Sequence, residues 1–195
     1  MRAATILVAL AACSPDITSG SYLCGPDQAC PGDQACDGSN NTCVIASTVT
    51  PFGCLPKEEH EPDNTPATGF AVGALGCVSQ VFSTHGCLAA GDTQDWFTLT
   101  APTGCTALEI DVRVTYPVAY ETLGLALADA AGTTIAMDAP CATEGGTAGD
   151  DDRCIKQTIT PGSSYAVQVK PAGGGDCDGR CNFNRYTLAI QLATP

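Results

Sequence analysis

Helix-period segments, basic clusters and long apolar runs are all missing from this sequence. Eight of its 195 residues are Lys or Arg, against 21 Asp and Glu. Without a Lys/Arg cluster the chain cannot neutralise a run of phosphates, which excludes nucleic-acid binding by counterion release. Histidine occurs twice, as His60 and His85, too seldom for an imidazole-built metal site. No G-x-S-x-G, H-E-x-x-H or phosphate-binding glycine loop occurs, so the common hydrolase and nucleotide chemistries lack their motifs. His85-Gly86-Cys87 is the one place where a thiol meets an imidazole. A nucleophile needs a base held by a third group, and none is legible there. The expected protein is not an enzyme.

The one apolar run lies at the start. MRAATILVALAAC has one arginine, then ten small or apolar residues from Ala3 to Ala12. That is half the roughly 20 needed to cross a bilayer, and it reads as a secretory hydrophobic region. Leu10-Ala11-Ala12-Cys13 resembles a bacterial lipobox, which implies cleavage before Cys13, acylation of Cys13 and residence on the outer membrane or cell surface. More than one acyl chain gives durable anchoring. Removal of residues 1–12 takes Arg2 away, leaving seven cations against 21 acids, so the charge moves from −13 to −14. A chain this acidic is repelled by anionic surfaces and draws divalent cations.

Cysteine is abundant. With Cys13 assigned to lipid, 12 of the 13 remain, and none forms the C-x-x-C spacing of zinc ribbons or thioredoxin-like sites. In an exported chain they are expected as six disulfides. Cys24, Cys30, Cys36 and Cys43 fall in CGPDQACPGDQACDGSNNTC, which repeats with a six-residue period. It holds almost nothing that can form a core, so cross-links must offset its ordering entropy; four cysteines allow three connectivities. The segment resembles those that follow lipoboxes in surface proteins of myxobacteria-like species. A stiff spacer and a growth-factor-like binding module both remain open. Proximity in the chain suggests Cys77–Cys87, Cys141–Cys154 and Cys177–Cys181, leaving Cys54 for Cys105.

From residue 95 the pattern changes. DWFTLT (95–100), CTALEIDVRVTY (105–116), ETLGLALAD (121–129), GTTIAMD (132–138), RCIKQTI (153–159), SSYAVQVK (163–170) and RYTLAIQL (185–192) alternate apolar with polar residues. Leu108, Ile110, Val112 and Val114 share one face, as do Tyr165, Val167 and Val169, and Leu188, Ile190 and Leu192. Such period-two runs, separated by Gly/Pro/Asp turns, predict half-buried antiparallel strands. Asp129 to Gly132 is the expected hairpin turn. The fold class is all-β: an antiparallel, jelly-roll-like β-sandwich. The divisions are a signal (1–12), a tether (13–23), the cysteine-rich segment (24–46), a linker (47–58) and the sandwich (59–194).

EPDNTPATGF (61–70), GDTQDWFTLT (91–100), LGLALADAAGTTIA (123–136), TPGSSYAVQVKP (160–171) and YTLAIQL (186–192) together resemble, in order, the bacterial pre-peptidase C-terminal domain. The match covers about residues 59–194. It implies a β-sandwich, in a family that includes collagen-binding modules whose linker acids and strand-edge acids hold calcium. Carried onto this sequence, the ligands are Glu59, Glu61, Asp63, Asn64, Asp92 and Asp95. Two features depart from the family pattern: Asp63-Asn64 replaces an Asn-Asp entry, and Asp92-Thr-Gln-Asp95 is one residue wider.

The residues point the same way unaided. Pro62 biases Glu61 toward extended backbone, and in an extended segment Glu59, Glu61 and Asp63 share a face. Calcium takes six to eight oxygens at about 2.3–2.6 Å, and hard donors without paired imidazole or thiolate favour it over zinc or copper. The competing reading of this stretch is a solvated acidic linker. Asp150-Asp151-Asp152 is a second acid run, read as hydrated loop or cation site. Of Trp96 and Phe97, adjacent in one strand, one must face inward and one outward. Tyr116 and Tyr120 are expected at an exposed edge.

The function expected from these readings is a non-catalytic, lipid-anchored surface protein. It binds or displays toward a protein or polysaccharide partner, is monomeric, and has a calcium-stabilised sandwich. The alternative is an accessory partner of a secreted peptidase, acting in trans.

Overall fold

The computed structural model describes residues 17–58, 60–78, 80–89, 92–143, 145–172 and 184–195. A small hairpin, β1 (Gln34–Asp37) and β2 (Thr42–Ile45), precedes ten further strands. These are β3 (Phe70–Ala71), β4 (Phe82–Cys87), β5 (Asp95–Thr100), β6 (Leu108–Pro117), β7 (Leu123–Asp129), β8 (Thr134–Met137), β9 (Ala139–Pro140), β10 (Asp150–Ile159), β11 (Ser164–Pro171) and β12 (Arg185–Ala193).

The ten strands form two five-stranded sheets, in the orders β4-β12-β6-β10-β9 and β3-β5-β11-β7-β8. All pairs are antiparallel except β3 with β5. The alternation in LEIDVRVTYP becomes alternating burial along β6, because successive side chains of a strand face opposite ways. Leu108, Ile110, Val112 and Val114 meet Leu123, Leu125 and Leu127, Val167 and Val169, and Leu188, Ile190 and Leu192 in one core. Full burial of each such side chain contributes about 1.5–3 kcal/mol. The Asp129–Gly132 turn joins β7 to β8, with the Gly132 amide donating to the Asp129 carbonyl at 2.9 Å. Gly132 sits at φ +81°, a conformation glycine adopts without steric cost.

Five disulfides tie the described residues. They are Cys24–Cys36, Cys30–Cys43, Cys54–Cys87, Cys77–Cys105 and Cys141–Cys154. The pairs Cys77–Cys87 and Cys54–Cys105 suggested by chain proximity are corrected. Cys77 precedes β4 and Cys87 ends it, so an extended strand of roughly 20 Å holds them apart. A disulfide needs Cα atoms near 5.6 Å, the separation found in both real pairs. Cys13, Cys177 and Cys181 lie outside the described residues.

The cysteine-rich segment, expected as a stiff spacer or a binding module, packs on the β6–β7 turn of the sandwich. Tyr120, in the β6–β7 turn, packs with Cys24, Cys36, Cys43 and Ala119. Its hydroxyl donates to Cys36 Sγ at 3.6 Å, and Phe52 stacks on its ring at 4.5 Å. The Gln28 amide donates to the Ala119 carbonyl at 3.0 Å. Tyr116 and Tyr120, expected at an exposed edge, are 1% and 7% exposed; one joins the core and the other receives the disulfide hairpin.

Arg185 completes the attachment. It donates to the Ser39 and Gly53 carbonyls, lies 5.3 Å over the Phe52 ring and pairs with Glu58 at 3.4 Å.

Candidate metal centre

β5 positions the site. Phe97 and Leu99 enter the core, so Asp95, two residues earlier, also faces inward at the strand's start and is 5% exposed. Tyr186 reaches it from β12 of the opposite sheet and donates its hydroxyl to Asp95 Oδ2. Room for that phenol comes from Gly86, directly across from Tyr186 in the β4–β12 pairing. A Cβ on Gly86 would stand 2.1 Å from Tyr186 Cζ.

The entry segment runs along the same end of β5. The Trp96 amide donates to the Asp63 carbonyl at 3.0 Å, which fixes residue 63 beside the strand. The Asp63 carboxylate is buried, at 1% exposure, and neither of its oxygens has a hydrogen-bond partner. Glu61, one of its acidic neighbours, is exposed and folds over the turn instead. It accepts from the Asp63 amide at 3.0 Å and from the Asn64 side-chain amide at 2.9 Å. Asp92 sits in the turn before β5, where its Oδ1 accepts from the Gln94 amide at 3.4 Å. Gln94 ties the turn to the entry by donating to the Asn64 carbonyl at 2.7 Å, and Gln168 donates to Gln94 in turn.

The electrostatics follow from this packing. Burial, then Glu61 and Asp92, push Asp63 up to about 6. Burial pushes Asp95 up to about 8, with Asp63 and Asp92 adding and the Tyr186 hydrogen bond opposing. Tyr186 is raised well above its ordinary value by burial and then by Asp95. Electrostatics couple Asp63 to Glu61, Asp92 and Asp95.

Four of the six expected ligands therefore lie in one electrostatic neighbourhood: Glu61, Asp63, Asp92 and Asp95. Asn64 is present through its carbonyl and its bond to Glu61, and Glu59 lies outside the described residues. Glu61 and Asp63 do not share a face as an extended segment would require, since one is exposed and the other buried. Among the described residues, no three of these acids bring an oxygen each within 4.8 Å of one another. The trio that meets that spacing is Cys24, Cys30 and Cys43, all spent in disulfides.

Tyr186, Gln94 and Gln168 were not foreseen. A signal for Tyr186 existed: it shares parity with Leu188, Ile190 and Leu192, and an inward tyrosine must carry its hydroxyl to a partner. The outward ring of the Trp96–Phe97 pair is Trp96, 7% exposed and packed on Ala128 and Ala166.

The other constellations resolve into structure. Asp150 accepts from the Thr147 amide and hydroxyl. Asp151 accepts from Tyr116 and from the Asp152 amide. Asp152 accepts from the Gly145 amide and lies 3.8 Å from Arg113. This acid run opens β10 rather than lying in a hydrated loop, and its oxygens are taken up by the loop before it and by Tyr116 and Arg113 of β6. His85 is hydrogen-bonded to Thr187 at 3.1 Å, and His60 to Thr84 and the His85 carbonyl at 3.1 and 3.0 Å.

No family model matches the chain, and no curated protein is similar to it in sequence. Among solved structures, the pre-peptidase C-terminal domain of a collagenase from Bacillus anthracis is similar with a TM-score of 0.42 and 17% identity. That match covers 63% of this chain and 93% of the other.

Proposed function

We propose that this protein is a non-catalytic, lipid-anchored surface module that binds or displays, with a sandwich locked by calcium. The observation that carries the calcium reading is Asp63, a carboxylate buried with both oxygens unpartnered and acids as its electrostatic neighbours. Burying an unpaired charge is costly. A proton or a cation must offset it, and in a secreted protein calcium is the abundant hard cation for oxygen donors. Asp63, Asp95, Asp92 and Glu61 would hold the ion, with Asn64 beside them, once the carboxylates rotate toward one point. Its charge would fix the entry segment to the start of β5. Supporting the non-catalytic part, Cys87 is spent in the bond to Cys54 and both histidines serve structural hydrogen bonds.

Titration calorimetry and thermal melts, with calcium and with chelator, test the metal. Calcium at 100 times its dissociation constant adds about 2.7 kcal/mol of stability; no heat and an unchanged melt reject it. Labelled fatty acid should enter the wild type and not Cys13→Ser. A glycan and matrix-protein array run with and without calcium tests the binding role.

A further inference from the structure

We infer that the cysteine-rich hairpin rests on the membrane, with Ile45 at the lipid headgroups. This rests on the lipid-anchor reading of Cys13. If Cys13 carries the acyl chains, residues 14–16 alone separate it from Ile17. Four Cα–Cα steps reach about 14 Å at full extension. From Ile17 onward the chain is bound to the hairpin. The Ile17 carbonyl accepts from the Gln34 side chain at 3.1 Å. The Ile45 amide donates to Ser19 Oγ at 3.2 Å, and the Gly20 amide to the Cys43 carbonyl at 2.7 Å. The headgroup layer is itself about 5–8 Å deep on each side of the hydrocarbon. Clearing it uses roughly half of that reach, so the hairpin cannot stand off from the lipid.

The side chain that meets the surface follows from the register. Gln34, which holds Ile17, pairs with Ile45 in the β1–β2 ladder. Ile45 is therefore beside the point where the tether enters, and it is 58% exposed, a large aliphatic side chain open to solvent. The lipid–water boundary is the partner whose chemistry suits it. Because Tyr120, Phe52 and Arg185 hold the hairpin to the sandwich, the sandwich is carried close to the bilayer rather than on a stalk.

The test uses the acylated mature protein, isolated from membranes and placed in phosphatidylcholine vesicles containing a brominated lipid. Ile45→Trp reports the hairpin, and Met137→Trp, at a residue 62% exposed on β8, reports the sandwich; both carry Trp96 as a common background. We expect bromine quenching of Ile45→Trp at least twofold that of Met137→Trp. Inserting ten Gly/Ser residues after Ser14 should bring the two to the same level while flotation with vesicles is kept. Acylated protein that floats but shows equal quenching overturns the inference alone, as does quenching that survives the insertion. A mass lacking acyl chains, with no flotation, overturns the anchor reading and this inference with it.

Discussion

Tyr186 donates its phenolic hydrogen to Asp95 across the sandwich, from one sheet to the other. The bond joins β12 to β5 where the buried acids gather, so two polar groups that are each costly to bury become a cross-link. Tyr186→Phe removes the donor and leaves Asp95 Oδ2 unsatisfied. The expected loss is about 1–3 kcal/mol in urea unfolding. It should be larger at pH 9 than at pH 5, because donation to an ionised carboxylate is the stronger bond.

Asp63 and Asp95 are raised to about 6 and about 8 from an ordinary carboxylate value of 3.8. Both therefore bind protons more tightly folded than unfolded, and their contribution to stability is complete below pH 4. It is lost as pH rises through 6 and then 8. In chelator the melting temperature should fall between pH 5 and pH 9, and calcium should reverse the fall. Asp63→Asn should melt higher than wild type in chelator at pH 8 and lose the response to calcium.

Gly86→Ala places a methyl group where the Tyr186 ring lies. Overpacking of this kind costs about 1–3 kcal/mol or more. Displacing the phenol also removes the Asp95 bond, so the double change with Tyr186→Phe should cost less than the sum of the two single changes. Unfolding free energies of the three variants measure this.

Cys54–Cys87 closes a 33-residue separation and ties the linker to the end of β4. Replacing both cysteines by serine should cost about 3–4 kcal/mol in the chain-entropy model and open residues 47–58 to protease. Arg185→Ala should open the same segment with both cysteines intact, since it releases Ser39, Gly53, Phe52 and Glu58 together. Peptide mapping without reductant should recover 54–87 and 77–105, not 77–87 and 54–105.

The strands around the core were legible because burial there has a local signature. LEIDVRVTYP, SYAVQVKP and RYTLAIQLA each carry period-two alternation, and each is a strand with the expected inner face. β4 was not foreseen, since FSTHGC has no such alternation. It is a strand because β12 pairs with it, and Gly86 stands in it to admit a side chain from a residue 100 positions later. Two pairings, Cys77–Cys87 and Cys54–Cys105, are not formed for a related reason: proximity along the chain ignores the length of a strand between two cysteines. Cys141–Cys154 is formed as expected, with both cysteines in or next to β9 and β10, which pair.

From residue order alone follow the two-layer β architecture, its inner faces and the crowding of acids before residue 64. These depend on periodicity and composition, which act over a few residues. Which acid is buried, which tyrosine meets it, which cysteines join and where the disulfide hairpin lies depend on strand order in two facing sheets. That order brings together residues far apart in the chain, and no local pattern encodes the distances between them.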